Sequence, residues 1–156
     1  MPERLPVRTC LWFAKDGLEA ASFYTNLIKG SRIDGTFGET EGGEPVVIDF
    51  TLGTTPYQIL VGGPRFSLTE AVSISVTTPD QGETDRLWNA LTSDGGEESM
   101  CGWLKDRWGV SWQIVPEALT RANFGPDAAG AKRAFEAMMT MTKIDIATIE
   151  AAYRGD

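Results

Sequence analysis

The sequence predicts an α+β fold built from two βαβββ modules and followed by C-terminal helices. The first observation is order: a strand, a helix and three strands occupy residues 7–61, and the same order recurs over residues 71–115. The second observation is the last strand of each half, which has the pattern aromatic–Gln–Ile–aliphatic at residues 57–60 and again at 112–115. The matched order of elements favours duplication over chance similarity of short apolar strands.

The first module begins with a strand at residues 7–13 and a helix at 18–28, whose apolar side chains recur at helical spacing. Asp16 is placed to cap this helix, and Gly30 is suited to end it. The remaining strands are expected at residues 31–37, 46–52 and 57–61, with a hairpin turn at 53–56.

The second module begins with a strand at residues 71–76. Asp80, followed by Glu83, predicts the start of a helix over residues 83–92. A weak strand at 97–101 precedes a hairpin with strands at 103–104 and 110–115 and a turn at 106–109.

After Pro116 the pattern is helical, with a short turn at residues 117–121, an Ala- and Met-rich helix at 128–141 and a last helix from Thr142 and Asp145 to Tyr153. We therefore divide the chain into a first module (1–63), a second module (64–116) and a helical extension (117–156), which together form one structural domain overall.

Composition excludes several classes of function. The net charge is −8 and no cluster of Lys and Arg stands out, which excludes a nucleic-acid binder. No apolar run reaches the length of about 20 residues that crosses a bilayer, and the N-terminal MPERLPVRTC has no apolar signal segment. Cys10 and Cys101 do not form a disulfide framework, so we expect buried, inert thiols in a reducing cytoplasm.

Several segments resemble the PhnB-like branch of the vicinal oxygen chelate superfamily, the glyoxalase/bleomycin-resistance/extradiol-dioxygenase group. They are CLWF and EAASFY in the first module, GGP after it, DRLWNAL, CGWLKDRWGVSWQIVP and the C-terminal MTKIDIATIEAAY. The resemblance implies that the two modules form an open, cupped mixed sheet and that the protein is a homodimer. Members of this branch are often labelled 3-demethylubiquinone-9 3-methyltransferase.

Metal-dependent relatives carry His or Glu on the first and last strand of each module, and the resemblance places Thr9, Gln58, Ser73 and Gln113 at those positions, with Leu60 in place of Gln58 if the register slips by two. The sequence contains no histidine. Amide and hydroxyl oxygens are weak ligands that do not offset the charge of a divalent ion. We therefore predict no metal and no other cofactor.

Two interpretations of Gln113 remain open: a buried amide satisfied by its neighbours, and a group that faces a ligand. Thr9 and Ser73 follow the same logic. Phe13 and Phe50 are candidates for the lining of the cup, Trp103 for its rim and Arg107 for contact with an anionic ligand.

We expect other conspicuous residues to have structural roles. By strand alternation we place Trp12 and Trp112 on the helix side of their sheets. Asp49 is expected on an exposed face, with a general base as the alternative. No Gly pair joins a strand to a helix, as the usual site for S-adenosylmethionine requires.

The resulting expectation is a metal-free protein that binds an unidentified small molecule at cup-facing residues Thr9, Phe13, Gln58, Ser73, Trp103, Arg107 and Gln113. The alternative is an enzyme of the superfamily, including the labelled methyltransferase. A homodimer with an incidental cup is a third interpretation, and we expect a dimer because each half-sheet leaves edges to protect.

Overall fold

A computed structural model describes residues 5–156. The chain forms two compact units, the first ending at Leu68 and the second spanning residues 69–156, and the helical extension belongs to the second unit. No helix within residues 5–156 combines the length and the apolar character needed to cross a membrane.

The first unit contains one four-stranded sheet with the strand order β1-β4-β3-β2. Strand β1 pairs in parallel with β4, and the other pairs are antiparallel. The elements are β1 (Thr9–Phe13), α1 (Gly17–Leu27), β2 (Arg32–Phe37), β3 (Val47–Leu52) and β4 (Thr55–Val61).

The second unit repeats this topology with the order β5-β8-β7-β6, which confirms the two predicted βαβββ modules. The extension follows as three helices. The elements are β5 (Ser73–Thr78), α2 (Gln81–Thr92), β6 (Glu97–Glu98), β7 (Trp103–Lys105), β8 (Ser111–Pro116), α3 (Glu117–Asn123), α4 (Ala128–Met138) and α5 (Ile146–Arg154).

Each module helix packs on one side of its sheet, which we call the helix side; the opposite side is the far side. Gly17 of α1 lies so close to Ile48, Ile59 and Val61 that a Cβ at this position would come within 2.6 Å of the Val61 side chain. In the second unit Trp88 of α2 is buried. These contacts define the apolar core of each module.

The predicted start of α1 needs a correction. Asp16 occupies the position before the helix with φ 61°, and its side chain makes no capping hydrogen bond. The Glu44 carboxylate instead accepts hydrogen bonds from the backbone N–H groups of Asp16 and Gly17, at 3.1 and 3.2 Å. A side chain from a distant loop thus satisfies the orphan donors of the first turn.

The second predicted cap is confirmed, because the side chain of Asp80 accepts a hydrogen bond from Glu83 N at the start of α2. Two features of the extension differ from expectation. Helix α4 ends at Met138, and Asp145 rather than Thr142 caps α5, accepting from Thr148 N.

The extension is tied to the second sheet through residues 141–146. Gly102 N donates to Thr142 O at 2.7 Å, beside a turn where Cys101 and Gly102 both have positive φ. Gln81 donates to Ile144 O and accepts from Ile146 N, at 3.1 and 2.9 Å. These bonds seat Ile144, which is fully buried, in the core between the sheet and the helices.

Candidate functional site

The far side of the second sheet carries a row of uncharged polar side chains beside an aromatic ring. In the sheet Gln113 of β8 lies between Ser75 of β5 and Trp103 of β7. Residues paired across neighbouring strands point to the same side of a sheet, so these three side chains share the far side. Ser73, two residues before Ser75, shares it as well.

Gln113 already has a partner within this row. Its Nε2 donates to Ser73 Oγ at 2.9 Å. Trp112, the residue before Gln113, is fully buried on the helix side, as the alternation in β8 predicted. The structure therefore brings together three of the residues singled out in the sequence: Ser73, Trp103 and Gln113.

Ser111 joins this row and was missed by the sequence reasoning. It is the register neighbour of Ser73, it is 2% exposed, and its Oγ has no hydrogen-bond partner among the described residues. Buried hydroxyls are normally satisfied, so an unpartnered one points to a group the chain itself does not supply. The available signal was its position, two residues before Gln113 on the same side of a strand.

Ser111 opens into a pocket with a volume of about 110 Å³. We call it the acidic pocket because three carboxylates and one ammonium group line it, together with the ring of Trp103. The residues that matter here are Glu70, Glu97, Glu98, Trp103, Lys105 and Ser111.

The charges of the acidic pocket are coupled. Lys105 Nζ lies 2.7 Å from Glu70 Oε1, and Glu97 is the cross-strand neighbour of Lys105. The hydrogen bond to Glu70, its charge and the charge of Glu97 raise the pKa of Lys105. The same hydrogen bond lowers the pKa of Glu70. Both groups are therefore ionised at neutral pH.

On the far side of the first sheet the central Gln58 is surrounded by charged groups. Gln58 of β4 lies between Cys10 and Asp49, and its Nε2 donates to Asp49 Oδ1 at 2.8 Å. Arg8 Nε lies 3.7 Å from Asp49 Oδ2, and Arg8 Nη1 lies 3.1 Å from Asp34 Oδ2. The expectation that Asp49 is simply exposed is wrong, since its side chain is only 14% exposed.

Asp34 owes its position to a β-bulge in β2, where the register shifts between Ile33 and Gly35. Burial alone would raise its pKa, but hydrogen bonds from Thr51 and Arg8, together with the charges of Arg32 and Arg8, lower it. The hydrogen bond from Thr51 Oγ1 measures 2.6 Å. The carboxylate is thus held ionised within a network of the chain's own groups.

Arg8 is the centre of this network. Its Nη1 also donates to the backbone carbonyls of Phe50 and Tyr57, both at 3.1 Å. Its Nε is buried without a hydrogen-bond partner among the described residues. A shallow cavity of about 370 Å³ lies beside Arg8 and Gln58, lined also by Leu5 and Pro6.

Two predicted cup-facing residues lie on the helix side of the first sheet. Thr9 pairs with Tyr57, and Phe13 pairs with Val61, whereas Gln58 pairs with Cys10. Thr9 and Phe13 therefore point away from Gln58, and Phe13 is 3% exposed in the core. Phe50 is fully buried on the same side.

Trp12 was predicted on the helix side of its sheet, and this prediction is wrong. It lies on the far side, where its Nε1 donates to Gly63 O at 2.9 Å. Its ring packs against Gly62 so closely that a Cβ at that glycine would come within 2.3 Å of the ring carbons. The GGP segment (residues 62–64) therefore packs against the Trp12 ring and accepts its hydrogen bond.

Arg107 does not join the row around Gln113. Its guanidinium donates to Ser93 Oγ at 3.0 Å, pairs with Asp94 at 3.3 Å and lies 5.0 Å from the centre of the Trp108 ring. Those partners lie at the C-terminal end of α2 and in the hairpin turn. The structure thus does not bring Arg107 together with Ser73, Trp103 and Gln113, and its contact with an anionic ligand stays a prediction.

Asp106 stabilises the turn of the hairpin formed by β7 and β8. It is 3% exposed and accepts hydrogen bonds from Trp108 N, Val110 N and Trp112 Nε1, at 2.9, 3.0 and 2.9 Å. A carboxylate that accepts three bonds within one turn fixes the backbone and the indole together. Asp106 is therefore a structural carboxylate of the turn and not a charge exposed to solvent.

Both cysteines are free thiols, but Cys10 is exposed on the far side of the first sheet, which corrects the expectation of a buried thiol. Local burial and the negative charge of Asp49 raise the pKa of Cys10, and a backbone hydrogen bond from Leu60 opposes them. A raised pKa leaves little thiolate at neutral pH, so the thiol is a poor nucleophile.

The far-side residues do not fit a divalent metal. Within residues 5–156, no group of three or more His, Cys, Asp and Glu side chains is arranged to hold one. The first- and last-strand positions on the far side are Cys10, Gln58, Ser75 and Gln113. These side chains bring no carboxylate or imidazole to offset the cost of dehydrating the ion.

The strand-to-helix connections do not fit S-adenosylmethionine either. In the first module the N–H groups at the start of α1, where an anionic group of a cofactor would bind, are already occupied by the Glu44 carboxylate. In the second module Asp80 fills the corresponding position at α2. Neither helix start presents the open glycine-rich turn of the usual methyl-donor site.

A family model described as 3-demethylubiquinone-9 3-methyltransferase matches residues 6–115. The match ends before α3, so the three helices of the extension lie outside it, including the C-terminal segment in which a resemblance was predicted. No curated protein gives a significant match.

Solved structures agree with this match. A PhnB protein from Bacillus cereus is 28% identical with a TM-score of 0.65, over 72% of this chain and 99% of that chain. A protein from Pseudomonas aeruginosa is 22% identical with a TM-score of 0.59, over 72% and 98%. A Bacillus cereus protein described as a possible glyoxalase is 12% identical with a TM-score of 0.50, over 69% and 95%. The last two likenesses concern the fold alone.

Proposed function

The chain belongs to the family described as 3-demethylubiquinone-9 3-methyltransferase, the PhnB-like branch of the glyoxalase fold, and we propose that it binds a small, partly apolar molecule on the far side of its second sheet, with neither a metal ion nor a methyl donor. The observation that carries this proposal is the unpartnered Oγ of Ser111, buried beside Ser73, Gln113 and Trp103. Small-molecule sites combine an apolar wall with a few polar groups that fix orientation.

The chemistry of the row suits reversible binding. The amide of Gln113 and the hydroxyls of Ser73 and Ser111 both donate and accept hydrogen bonds. The chain contains no histidine to act as a base for these hydroxyls. The amino group of Lys105, the register neighbour of Ser111, is held protonated by its ion pair with Glu70. Trp103 supplies apolar surface on the same side of the sheet.

The proposal is tested by screening a library of small neutral and charged molecules for thermal stabilisation and for quenching of tryptophan fluorescence. A ligand that binds only the folded state raises the melting temperature, and the rise grows as the ligand concentration exceeds the dissociation constant. For each hit, Gln113→Leu is compared with Gln58→Leu, the same replacement at the repeat-equivalent position of the first sheet. Binding that is lost in Gln113→Leu and kept in Gln58→Leu supports the proposal.

Two results would overturn it: a library without any hit, or hits that depend on Gln58 and not on Gln113. Each variant is compared with its own melting temperature without ligand, so a change in intrinsic stability does not imitate a change in binding.

An enzymatic function, methyl transfer above all, is the second candidate, and the family description is the observation that favours it. Adding S-adenosylmethionine, or divalent metal salts, to the same thermal assay distinguishes the two. A higher melting temperature with either one supports the enzyme.

We also propose a homodimer in the cytoplasm. Strands β1 and β2 are the edges of the first sheet, and Phe37 on β2 is 76% exposed. Two free thiols, Cys10 and Cys101, support the proposed compartment, because free cysteines are typical of proteins in a reducing environment. Light scattering coupled to size exclusion measures the oligomeric state, and Phe37→Ser is expected to shift it towards the monomer.

A further inference from the structure

The acidic pocket carries information about the chemistry of the ligand. It lies at the end of the polar row, where Ser111 separates Ser73 from Lys105 across the sheet. Its wall contains three carboxylates, those of Glu70, Glu97 and Glu98, against the single ammonium of Lys105. The excess negative charge favours a positively charged guest.

We propose that the acidic pocket is a subsite for the protonated amino group of the ligand, a step that rests on the proposed function of the far side. Glu98 is already engaged, because its Oε1 accepts a hydrogen bond from Trp88 Nε1 at 2.8 Å. Glu70 and Glu97 are the carboxylates that meet the guest.

Lys105 shows which group these carboxylates accept. Its Nζ is an alkylammonium bound at 2.7 Å by Glu70, whose side chain is 65% exposed. An ion pair this exposed contributes little to stability, so a second ammonium exchanges with Lys105 or shares its acceptors at small cost. The Lys105 ammonium is thus chemically equivalent to the group that we propose as the ligand.

Ser111 and Trp103 give the pocket selectivity beyond charge. Ser111, a residue only 2% exposed, lies in the wall, and its unpartnered Oγ accepts an N–H of the guest. An ammonium that lines up with the face of a tryptophan gains further attraction, and Trp103 lines the same pocket. A carboxylate guest would instead meet Glu70 and Glu97 at close range.

The size of the pocket limits the guest to a head group. A cavity of about 150 Å³ holds benzene. The volume here is about 110 Å³, so the ammonium and a short alkyl segment fit while the rest of the ligand lies outside, towards Gln113.

The test uses three probes of equal chain length on the full protein at constant ionic strength: n-butylamine, 1-butanol and butyrate. Binding is followed by tryptophan fluorescence and by the melting temperature. We expect butylamine to bind about tenfold more tightly than butanol, as a hydrogen-bonded ammonium does against a neutral group, and butyrate to bind more weakly than butanol.

Two variants separate the local contact from long-range charge. Glu97→Gln is expected to weaken butylamine about fivefold and leave butanol unchanged. Glu41→Gln removes the same charge from an exposed loop of the first unit and is expected to change neither. Ser111→Ala is expected to weaken butylamine about threefold. Equal losses in the two glutamate variants would reduce the effect to net charge and overturn the proposal.

Lys105→Met gives the sharpest outcome. If the pocket takes a cation, removing the competing ammonium tightens butylamine binding; if it takes an anion, the same change abolishes butyrate binding and overturns the proposal. Butanol binding without a gain for butylamine also overturns this inference while leaving the proposed function standing. A protein that binds neither these probes nor any library member contradicts both.

Discussion

The two modules share one backbone plan but carry opposite chemistry on their far sides. Gln58 and Gln113 hold equivalent places, each in the strand that pairs in parallel with the first strand of its module. The neighbours of Gln58 are Cys10 and Asp49, whereas those of Gln113 are Ser75 and Trp103. By the same register Arg8 corresponds to Ser73.

We interpret this difference as a division of roles: the far side of the first module stabilises the fold, and that of the second module binds a ligand. In the first module the far-side charges pair with one another: Arg8 engages both Asp34 and Asp49, and the amide of Gln58 donates to Asp49. Arg8 Nε has no hydrogen bond within residues 5–156, but it lies 3.7 Å from the Asp49 carboxylate, so its charge is paired.

In the second module the equivalent central positions carry the uncharged Ser73, Ser75 and Gln113, and Ser111 lacks a partner in the described part of the chain. The charges of this side, Lys105 and Glu97, lie next to that row in the acidic pocket. Duplicated topology fixes where side chains stand, while their identity decides whether they serve the fold or a guest.

The largest effect is expected from Arg8→Met. The change leaves the part-buried carboxylates of Asp34 and Asp49 without their cation, and removing one partner of a buried ion pair costs about 3 kcal/mol. Urea unfolding followed by fluorescence measures the free energy of unfolding. Arg121→Met, which removes an exposed arginine of α3, is the control and is expected to stay within about 0.5 kcal/mol of the wild type. Equal effects would refute the view that the first far side is a stabilising network.

The same contrast predicts unequal costs for identical replacements. Gln58→Leu removes a donor from a carboxylate, which costs about 1.5 kcal/mol, whereas Gln113→Leu removes a donor from a hydroxyl, which costs about 0.5 kcal/mol. Urea unfolding of the two variants gives both values. A larger loss for Gln113→Leu would reverse the assignment of the two modules.

Acid is expected to weaken the network of the first module by protonating Asp34. The folded-state pKa of Asp34 lies below its ordinary value of 3.8, so the ionised carboxylate stabilises the fold above that pH, and this contribution is lost as the pH falls through the folded-state pKa. In Asp34→Asn the free energy of unfolding is therefore expected to fall less steeply with acid below about pH 4. Glu41→Gln, an exposed carboxylate, is the control; parallel acid profiles for wild type and Asp34→Asn would contradict the prediction.

The sequence was sufficient for the order of elements and for much of the second module. The alternation in β8 correctly placed Trp112 on the helix side and Gln113 opposite it, because apolar and polar residues alternate there without ambiguity. The cap at Asp80 was also readable, since its partner Glu83 lies only three residues away.

The first module resisted prediction for a physical reason. Both sides of β1 carry bulky apolar side chains, Leu11 and Phe13 on one and Trp12 on the other, so the pattern does not reveal which side meets the helix. A choice of the wrong side moves every residue of a strand to the other face. The bulge that aims Asp34 at Arg8 depends on pairing between strands and has no local sequence signal.

The smallest expected effect concerns Cys10, and it tests how closely the charges of the first far side act on one another. Burial and the charge of Asp49 raise the pKa of the thiol, so Asp49→Asn is expected to increase the fraction of thiolate at about pH 8 and the rate of alkylation by iodoacetamide. Asparagine keeps an oxygen that accepts from Gln58, which isolates the effect of charge. In a Cys101→Ser background, mass spectrometry follows Cys10 alone.

The control variant is Asp34→Asn, which removes the same charge from a carboxylate that does not contribute to the pKa shift of Cys10, and it should leave the alkylation rate unchanged. The wild-type and Asp49→Asn rates should converge at high pH, where the thiol is fully ionised; a constant ratio at all pH values would mean that access, and not charge, governs the thiol.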